Sequence, residues 1–342
     1  MAIQNRHNNS IFKGCSPLQN HNGFDTFETR NRLLCVCSTL PKNNTQMRKL
    51  FFLLITALLL LSSCSKKEPI LKIGLVADPQ YANKPSVGER YYRESLWKLE
   101  EAMDTFNYNN VDFVQSLGDI IDTKWESFDS ILPIYDKLST DIENYHLLGN
   151  HDYDIDSTHL RGLLKKLSMP DYYYSYTKKG WRFLVLDATD YSYYSNLLHH
   201  HDINQVDFYY ENTNGKINQN LWNSAIGENQ QNWIKQELDS AKLLNQKVIL
   251  FSHLPVRPKN DPHNLWNDDE IIELIENNSN VVAFINGHNH LGGYEFKNGI
   301  HYITVFGMVN TMISSYGILE LYKNSLVLRG YGNQKTLYLD NE

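Results

Sequence analysis

The residues most able to do chemistry fall in five short clusters along the chain: Asp78 and Gln80; Asp119 and Asp122; Asn150, His151 and Asp152; His253; and His288 with His290. Taken singly, each has an ordinary structural use. An Asp after a strand commonly caps a helix, Gly149-Asn150 is a turn dipeptide, and His288-Asn289-His290 alone could be a turn. Together the clusters offer two Asp, one Asn, one Gln and three His as ligands. That mixed oxygen and nitrogen set suits a pair of divalent cations of intermediate hardness, such as Mn, Fe or Zn. A carboxylate can bridge two such ions, and a pair about 3.5–4 Å apart clamps both the attacking and the leaving oxygens of an in-line displacement. Phosphoryl chemistry is the expected reaction class.

The elements between the clusters explain why they would meet. From Ile70 onward, short apolar runs alternate with helix-like stretches, the pattern of a layered α/β domain. Strands are expected at Leu71–Ala77, Phe113–Leu117, Tyr145–Leu148, Trp181–Leu186, Lys247–Phe251 and Val281–Ile285, and each ends in a polar cluster. Ligand sites in α/β sheets lie beyond the carboxyl ends of strands, so the clusters should converge on one edge. Helices are expected at Tyr91–Tyr108, where Leu96, Leu99, Met103 and Phe106 share a face, at Trp125–Leu138 and at Glu228–Leu244. Ile300–Val305, Tyr316–Leu321 and Ser325–Leu328 read as strands closing a sheet. Residues 190–225, rich in Tyr, Asn and His, read as a long loop or insertion, and His199-His200-His201 within them as surface. One domain over 70–342 follows.

Asp78-x-Gln80, Gly118-Asp119-x-x-Asp122, Gly149-Asn150-His151-Asp152, Ser252-His253 and Gly287-His288-x-His290 resemble, block by block, the signature of calcineurin-like metallophosphoesterases. The fold this implies is a four-layer αββα sandwich of two mixed sheets flanked by helices. That superfamily usually carries His at the third position of its first block, where this chain has Gln80. The departure is similar to the manganese-dependent ADP-ribose/CDP-alcohol diphosphatases, as are Ala77–Ala82, Arg90-Tyr91-Tyr92-Arg93, His253-Leu254-Pro255-Val256 and Gly287–Tyr294. The resemblance implies a first metal on Asp78, Gln80, Asp119 and His290, and a second on Asp119, Asn150, His253 and His288, with Asp119 as the bridge. It implies that water between the ions attacks phosphorus, with His151 protonating the leaving oxygen or stabilising its charge. Asp152 would orient that imidazole, and Asp122 would support the ligands from behind. A neutral amide oxygen at Gln80 is harder than imidazole, which favours Mn²⁺ over Zn²⁺ and weakens the first site. Arg90 and Arg93 could reach a phosphate or form a solvated surface pair. Tyr81 and Trp266 could stack on a base or ribose, although packing is the default use of an aromatic. The implied substrate is a nucleotide-type diphosphate, ADP-ribose or a CDP-alcohol. The rivals are a phosphomonoesterase or broad phosphodiesterase on the same scaffold, and a non-catalytic binding lipoprotein of the envelope.

The 342 residues carry 32 Lys+Arg against 39 Asp+Glu, a net charge of −7. Residues 1–63 hold seven Lys+Arg and two Asp+Glu, so the rest of the chain carries a balance of −12. Such a surface argues against gripping nucleic acid. All four cysteines lie at or before Cys64, so the chain beyond it can form no disulfide. Residues 47–63 read as a secretory signal: a basic start, an apolar run from Leu50 to Leu61, then small residues. That run is about a dozen residues, against about 20 for a spanning helix. Leu61-Ser62-Ser63-Cys64 resembles a bacterial lipobox, in which Cys64 is lipidated and residues 64–69 form a tether. The expected location is the bacterial cell envelope, lipid-anchored and outside the cytoplasm. Residues 1–46 show no pattern that suggests chemistry and read as an extension preceding the signal.

Overall fold

The computed structural model describes residues 68–340. The signal segment, Cys64 and residues 1–46 lie outside them, and no helix among the described residues is long and apolar enough to cross a membrane. The chain runs β1 (Leu71–Val76), α1 (Ser95–Asn109), β2 (Phe113–Ser116), α2 (Glu126–Tyr135), β3 (Glu143–Tyr145), β4 (Tyr174–Lys178), β5 (Trp181–Val185), α3 (Ile203–Glu211), α4 (Glu228–Leu243), β6 (Lys247–Phe251), α5 (Asp268–Glu276) and β7 (Val281–Asn286). It closes with β8 (Gly293–Lys297), β9 (Ile300–Thr304), β10 (Ser315–Leu321), β11 (Ser325–Gly332) and β12 (Leu337–Asp340). Short helical turns lie at His151–Tyr153, Leu160–Gly162, Leu163–Lys166 and Asn196–His199.

Two six-stranded sheets form, in the orders β12-β11-β10-β1-β2-β3 and β4-β5-β6-β7-β9-β8. Both are mixed: β1, β2 and β3 run parallel in the first, and β5, β6, β7 and β9 in the second. The alternation of side chains along a strand builds the layers. Leu71, Ile73 and Leu75 of β1 meet Phe183, Ile249, Phe251 and Ile285 between the sheets. The opposite face of the first sheet, through Val76 and Val114, packs on Leu99, Met103, Phe106, Phe128 and Ile131 of α1 and α2. Leu184, Val248, Leu250 and Phe284 pack on Ile234 and Leu238 of α4 and on Ile271 and Ile275 of α5. The layer order is therefore α, β, β, α, as the motifs implied. Gly74 belongs to the helix-facing side, where a Cβ would meet the Phe106 ring at 2.9 Å.

Several boundaries depart from the sequence reading. The third strand pairs over Glu143–Tyr145, and Leu147 and Leu148 leave the ladder while staying buried. The first helix starts at Ser95, whose hydroxyl donates to the Pro79 carbonyl. The 190–225 region is not wholly irregular: it contains α3, capped by Asp202, whose side chain accepts Asn204 N–H at 3.0 Å. Only Val206 of α3 is buried, which is why no apolar period shows there.

Candidate metal centre

The loops after β1, β2, β3, β6 and β7 bring all seven expected ligand residues together. Asp78, Gln80, Asp119 and His288 adopt left-handed φ values of 49°, 43°, 50° and 65°. That conformation costs a non-glycine residue about 1–2 kcal/mol and clusters where function demands it. Neighbouring backbone holds the strain in place: Gln80 N–H donates to Asp119 O at 2.8 Å, and Val309 N–H to Asp78 O at 2.9 Å. The glycines of the motifs make room for the ligands. Gly118 takes φ +86°, and a Cβ on Gly149 would stand 2.2 Å from Asp119 Oδ1.

Two three-residue donor sets share Asp119: Asp78, Asp119 and His290, and Asp119, His253 and His288, each with its ligand atoms within 4.8 Å of one another. The Gln80 amide joins the first, its end 2.8 Å from Asp119 Oδ2 and 3.2 Å from His290 Nε2. Asn150 joins the second, with Oδ1 3.2 Å from His253 Nε2. Gln80 Oε1 is buried with no partner. A planar amide turned end for end would present this oxygen to the donor atoms. An orphaned buried acceptor, a space only glycine permits and a mixed oxygen and nitrogen set fit a pair of divalent cations.

Each histidine is held by its far nitrogen so that the other faces the centre. His253 donates Nδ1–H to Leu117 O at 2.8 Å, His288 donates Nε2–H to Asn223 Oδ1 at 3.1 Å, and His290 donates Nδ1–H to Asn310 Oδ1 at 2.9 Å. Asn223 and Asn310 carry no sequence signal; one sits in the supposed loop, the other after β9. Burial opposes charge throughout, yet His253, His151 and His288 hold the Asp119 carboxyl far below the usual carboxylate range. Against the same burial, Asp119 and Asp78 hold His253 up at about 9. Burial and the neighbouring His253 push His288 well down, whereas Asp78 raises His290 despite burial. The centre thus offers an ionised bridge and at least one imidazole that must shed a proton to ligate.

The centre floors a cleft of about 720 Å³ lined also by Arg90, His151, Trp222 and His263. His151 donates its backbone N–H to Asp119 Oδ1 at 2.8 Å and Nδ1–H to Asp122 O at 3.2 Å, which leaves Nε2 for a substrate. Other expected residues stand elsewhere. Asp152 does not orient His151: its carboxylate accepts N–H from Ile120 at 2.9 Å, Ile121 at 3.2 Å and Gly149 at 3.0 Å, tying two ligand loops together. Asp122 pairs with Lys84 and lies 3.5 Å from His151 Nδ1, so the support expected from Asp152 comes from Asp122. Trp266 cannot stack on a base, because it is buried against Val206 and Ala225 with its Nε1–H on Asn220 O at 3.0 Å. Tyr81 is likewise core, packed among the residues beneath α1. Arg93 points to Asn83 Oδ1 at 2.9 Å and is not among the residues lining the cleft. Packing won at each aromatic because its ring found an apolar neighbourhood that sequence spacing does not show.

Two mixed sheets presenting a ligand-rich edge define a metallophosphoesterase, and the chain belongs to the calcineurin-like phosphoesterase family, which it matches over residues 71–292. It is similar to the manganese-dependent ADP-ribose/CDP-alcohol diphosphatase of Oryza sativa subsp. japonica, 31% identical over 297 residues that span 78% of this chain and 92% of that protein. The Xenopus tropicalis protein of the same name is 30% identical, over 80% of this chain and 95% of its own. A crystal structure of a dimetal phosphatase from Danio rerio shares the fold, with a TM-score of 0.71, 24% identity and coverage of 80% of this chain and 100% of that one.

Proposed function

We propose that this hydrolase cleaves the phosphoanhydride of a nucleoside-diphosphate derivative, ADP-ribose or a CDP-alcohol, to a nucleotide and a phosphorylated leaving part, with two Mn²⁺ ions in the centre. The observation that carries the reading is the pair of donor sets sharing Asp119 at the floor of the cleft, with Arg90 and His151 on its walls. Asp78, Gln80, Asp119 and His290 would hold one ion, and Asp119, Asn150, His253 and His288 the other. Such a pair supplies hydroxide near neutral pH and positive charge for the phosphoryl oxygens. The chain does the rest. Arg90 offers a two-pronged donor to a phosphate. His151, fixed through Nδ1 by Asp122, directs Nε2 at the leaving oxygen and passes it a proton. Gln80 in place of imidazole favours Mn²⁺, in keeping with the name the relatives carry.

The reading is tested on residues 65–342 with ADP-ribose, CDP-choline, a bis-aryl phosphate and a mono-aryl phosphate, each with Mn²⁺, Mg²⁺, Zn²⁺ or chelator, beside Asp119→Ala. Mn²⁺-dependent release of AMP or CMP that the substitution abolishes supports it. Turnover mainly of the mono-aryl ester replaces it with a phosphomonoesterase. The Met47–Cys64 sequence supports lipid attachment at Cys64 and a place in a bacterial envelope. Metabolic labelling with radioactive palmitate, lost in Cys64→Ser, is the expected result; label that survives the substitution sinks that part.

A further inference from the structure

A second cluster of imidazoles and carboxylates lies outside the cleft, in the segment that follows β5. His201 Nε2 is 2.8 Å from Asp190 Oδ1, and His199 Nε2 is 3.2 Å from Asp187 Oδ2. Asp190, His199 and His201 each bring a ligand-capable atom within 4.8 Å of the other two. None of the three lines the main cleft. His200 between them takes a left-handed φ of 57° and stays exposed, while the rings on either side lie within 10° of parallel. The carboxylates are anchored by their other oxygens. Asp190 Oδ2 accepts Gly227 N–H at 3.0 Å, and Asp187 Oδ1 accepts Thr189 N–H at 2.8 Å and its hydroxyl at 2.6 Å. Each therefore presents a free oxygen to an imidazole. Two buried carboxylates side by side are costly without a cation between or beside them.

We propose that Asp190, His199 and His201 hold a zinc ion, with Asp187 beside it as the carboxylate that fixes His199. Two imidazoles and one carboxylate suit zinc, and ligands at about 2.0–2.1 Å from the ion in a tetrahedron stand about 3.3 Å apart, within the spacing of this cluster. The donor set differs from the main centre, whose Gln80, Asn150 and shared Asp119 are richer in oxygen, so the two places favour different metals. The ion would tie the 187–201 segment to the loop bearing His151: Tyr153 OH is 2.8 Å from Thr189 Oγ1 and 3.5 Å from His199 Nε2.

The full chain is loaded with Zn²⁺, desalted and analysed for metal beside His201→Phe, which keeps the ring stack on Tyr191 at 3.8 Å but removes a ligand. A His199→Ala/His201→Ala double variant accompanies it. The wild-type chain is expected to retain one zinc equivalent more than either variant and to gain more in Tm from saturating Zn²⁺. Repeating the comparison on an Asp119→Ala background, where the main centre lacks its shared carboxylate, assigns the lost equivalent to this cluster. His201→Phe is expected to keep Mn²⁺-supported turnover, which also reports that it folds. Equal zinc content and equal Tm gain in wild type and His201→Phe overturn the proposal.

Discussion

Replacing Gly149 by Ala should disable the metal centre while leaving every ligand in the chain. The new Cβ would stand 2.2 Å from Asp119 Oδ1, 2.6 Å from Asp119 N and 2.6 Å from His253 Cε1, whereas ordinary contact begins near 3.4 Å. The loop after β3 and the shared carboxylate must therefore separate by roughly 1.2 Å, taking 3.4 Å less the 2.2 Å observed. Neither neighbour yields freely. Asp119 Oδ1 accepts His151 N–H at 2.8 Å, and the His253 ring is pinned to Leu117 O at 2.8 Å. A misplacement of about 1 Å at a reacting centre costs about 100-fold in rate, or about 2.7 kcal/mol of transition-state stabilisation. The assay is Mn²⁺-dependent release of AMP from ADP-ribose, with Mn²⁺ titrated so that metal affinity and kcat are read separately; both should fall. Gly180→Ala is the control. Gly180 has φ +81° and open space around it in the β4–β5 turn, so Ala there costs about 1 kcal/mol of stability and leaves turnover unchanged. A folded Gly149→Ala with wild-type kcat and Mn²⁺ affinity would refute the reasoning.

His151→Ala should lower kcat by about 10²–10⁴-fold with bound Mn²⁺ unchanged by metal analysis; a retained rate removes His151 from proton transfer. Asn223→Ala strips His288 of the acceptor that fixes its ring, so Mn²⁺ affinity should weaken by about 10–100-fold, read by titrating metal against activity. Burial pushes the His146 imidazole down to about 4, below the ordinary value near 6.5. Its folded form thus stays neutral, and the associated stability is fully present above about 6.5 and lost as the pH falls toward 4, about 3 kcal/mol in all. Urea unfolding at pH 7 and pH 4 should show wild type losing about that much more than His146→Phe; an equal loss in both contradicts it.

Much of this centre is legible in one dimension because ligand chemistry and strand punctuation coincide. The apolar runs at Leu71, Phe113, Lys247 and Val281 are strands buried almost throughout on both faces, which read as mainly hydrophobic stretches with few polar interruptions. Each stops just before a carboxylate, amide or imidazole, so the spacing alone points to the convergence of Asp78, Asp119, His253 and His288. The half-exposed strands β4 and β8 escape this logic. Tyr174–Lys178 and Gly293–Lys297 are stable as strands only because β5 and β9 pair with them, and propensity in such edges is set by the partner.

What the sequence determined alone is therefore the class of chemistry, the candidate ligand residues and the sheet edge that gathers them. Those depend on residue type and on periods of two and 3.6 that are local properties of the chain. The tertiary structure decided which polar group serves which other. It put Asp152 on three backbone N–H groups and gave His151 to Asp122. It buried Trp266 and Tyr81, and it set Asn223 and Asn310 behind the ligand histidines. Those partners lie 20 to 65 positions away along the chain for the two asparagines. Side-chain hydrogen bonds over such separations are chosen by how whole layers dock, and no local spacing carries that information.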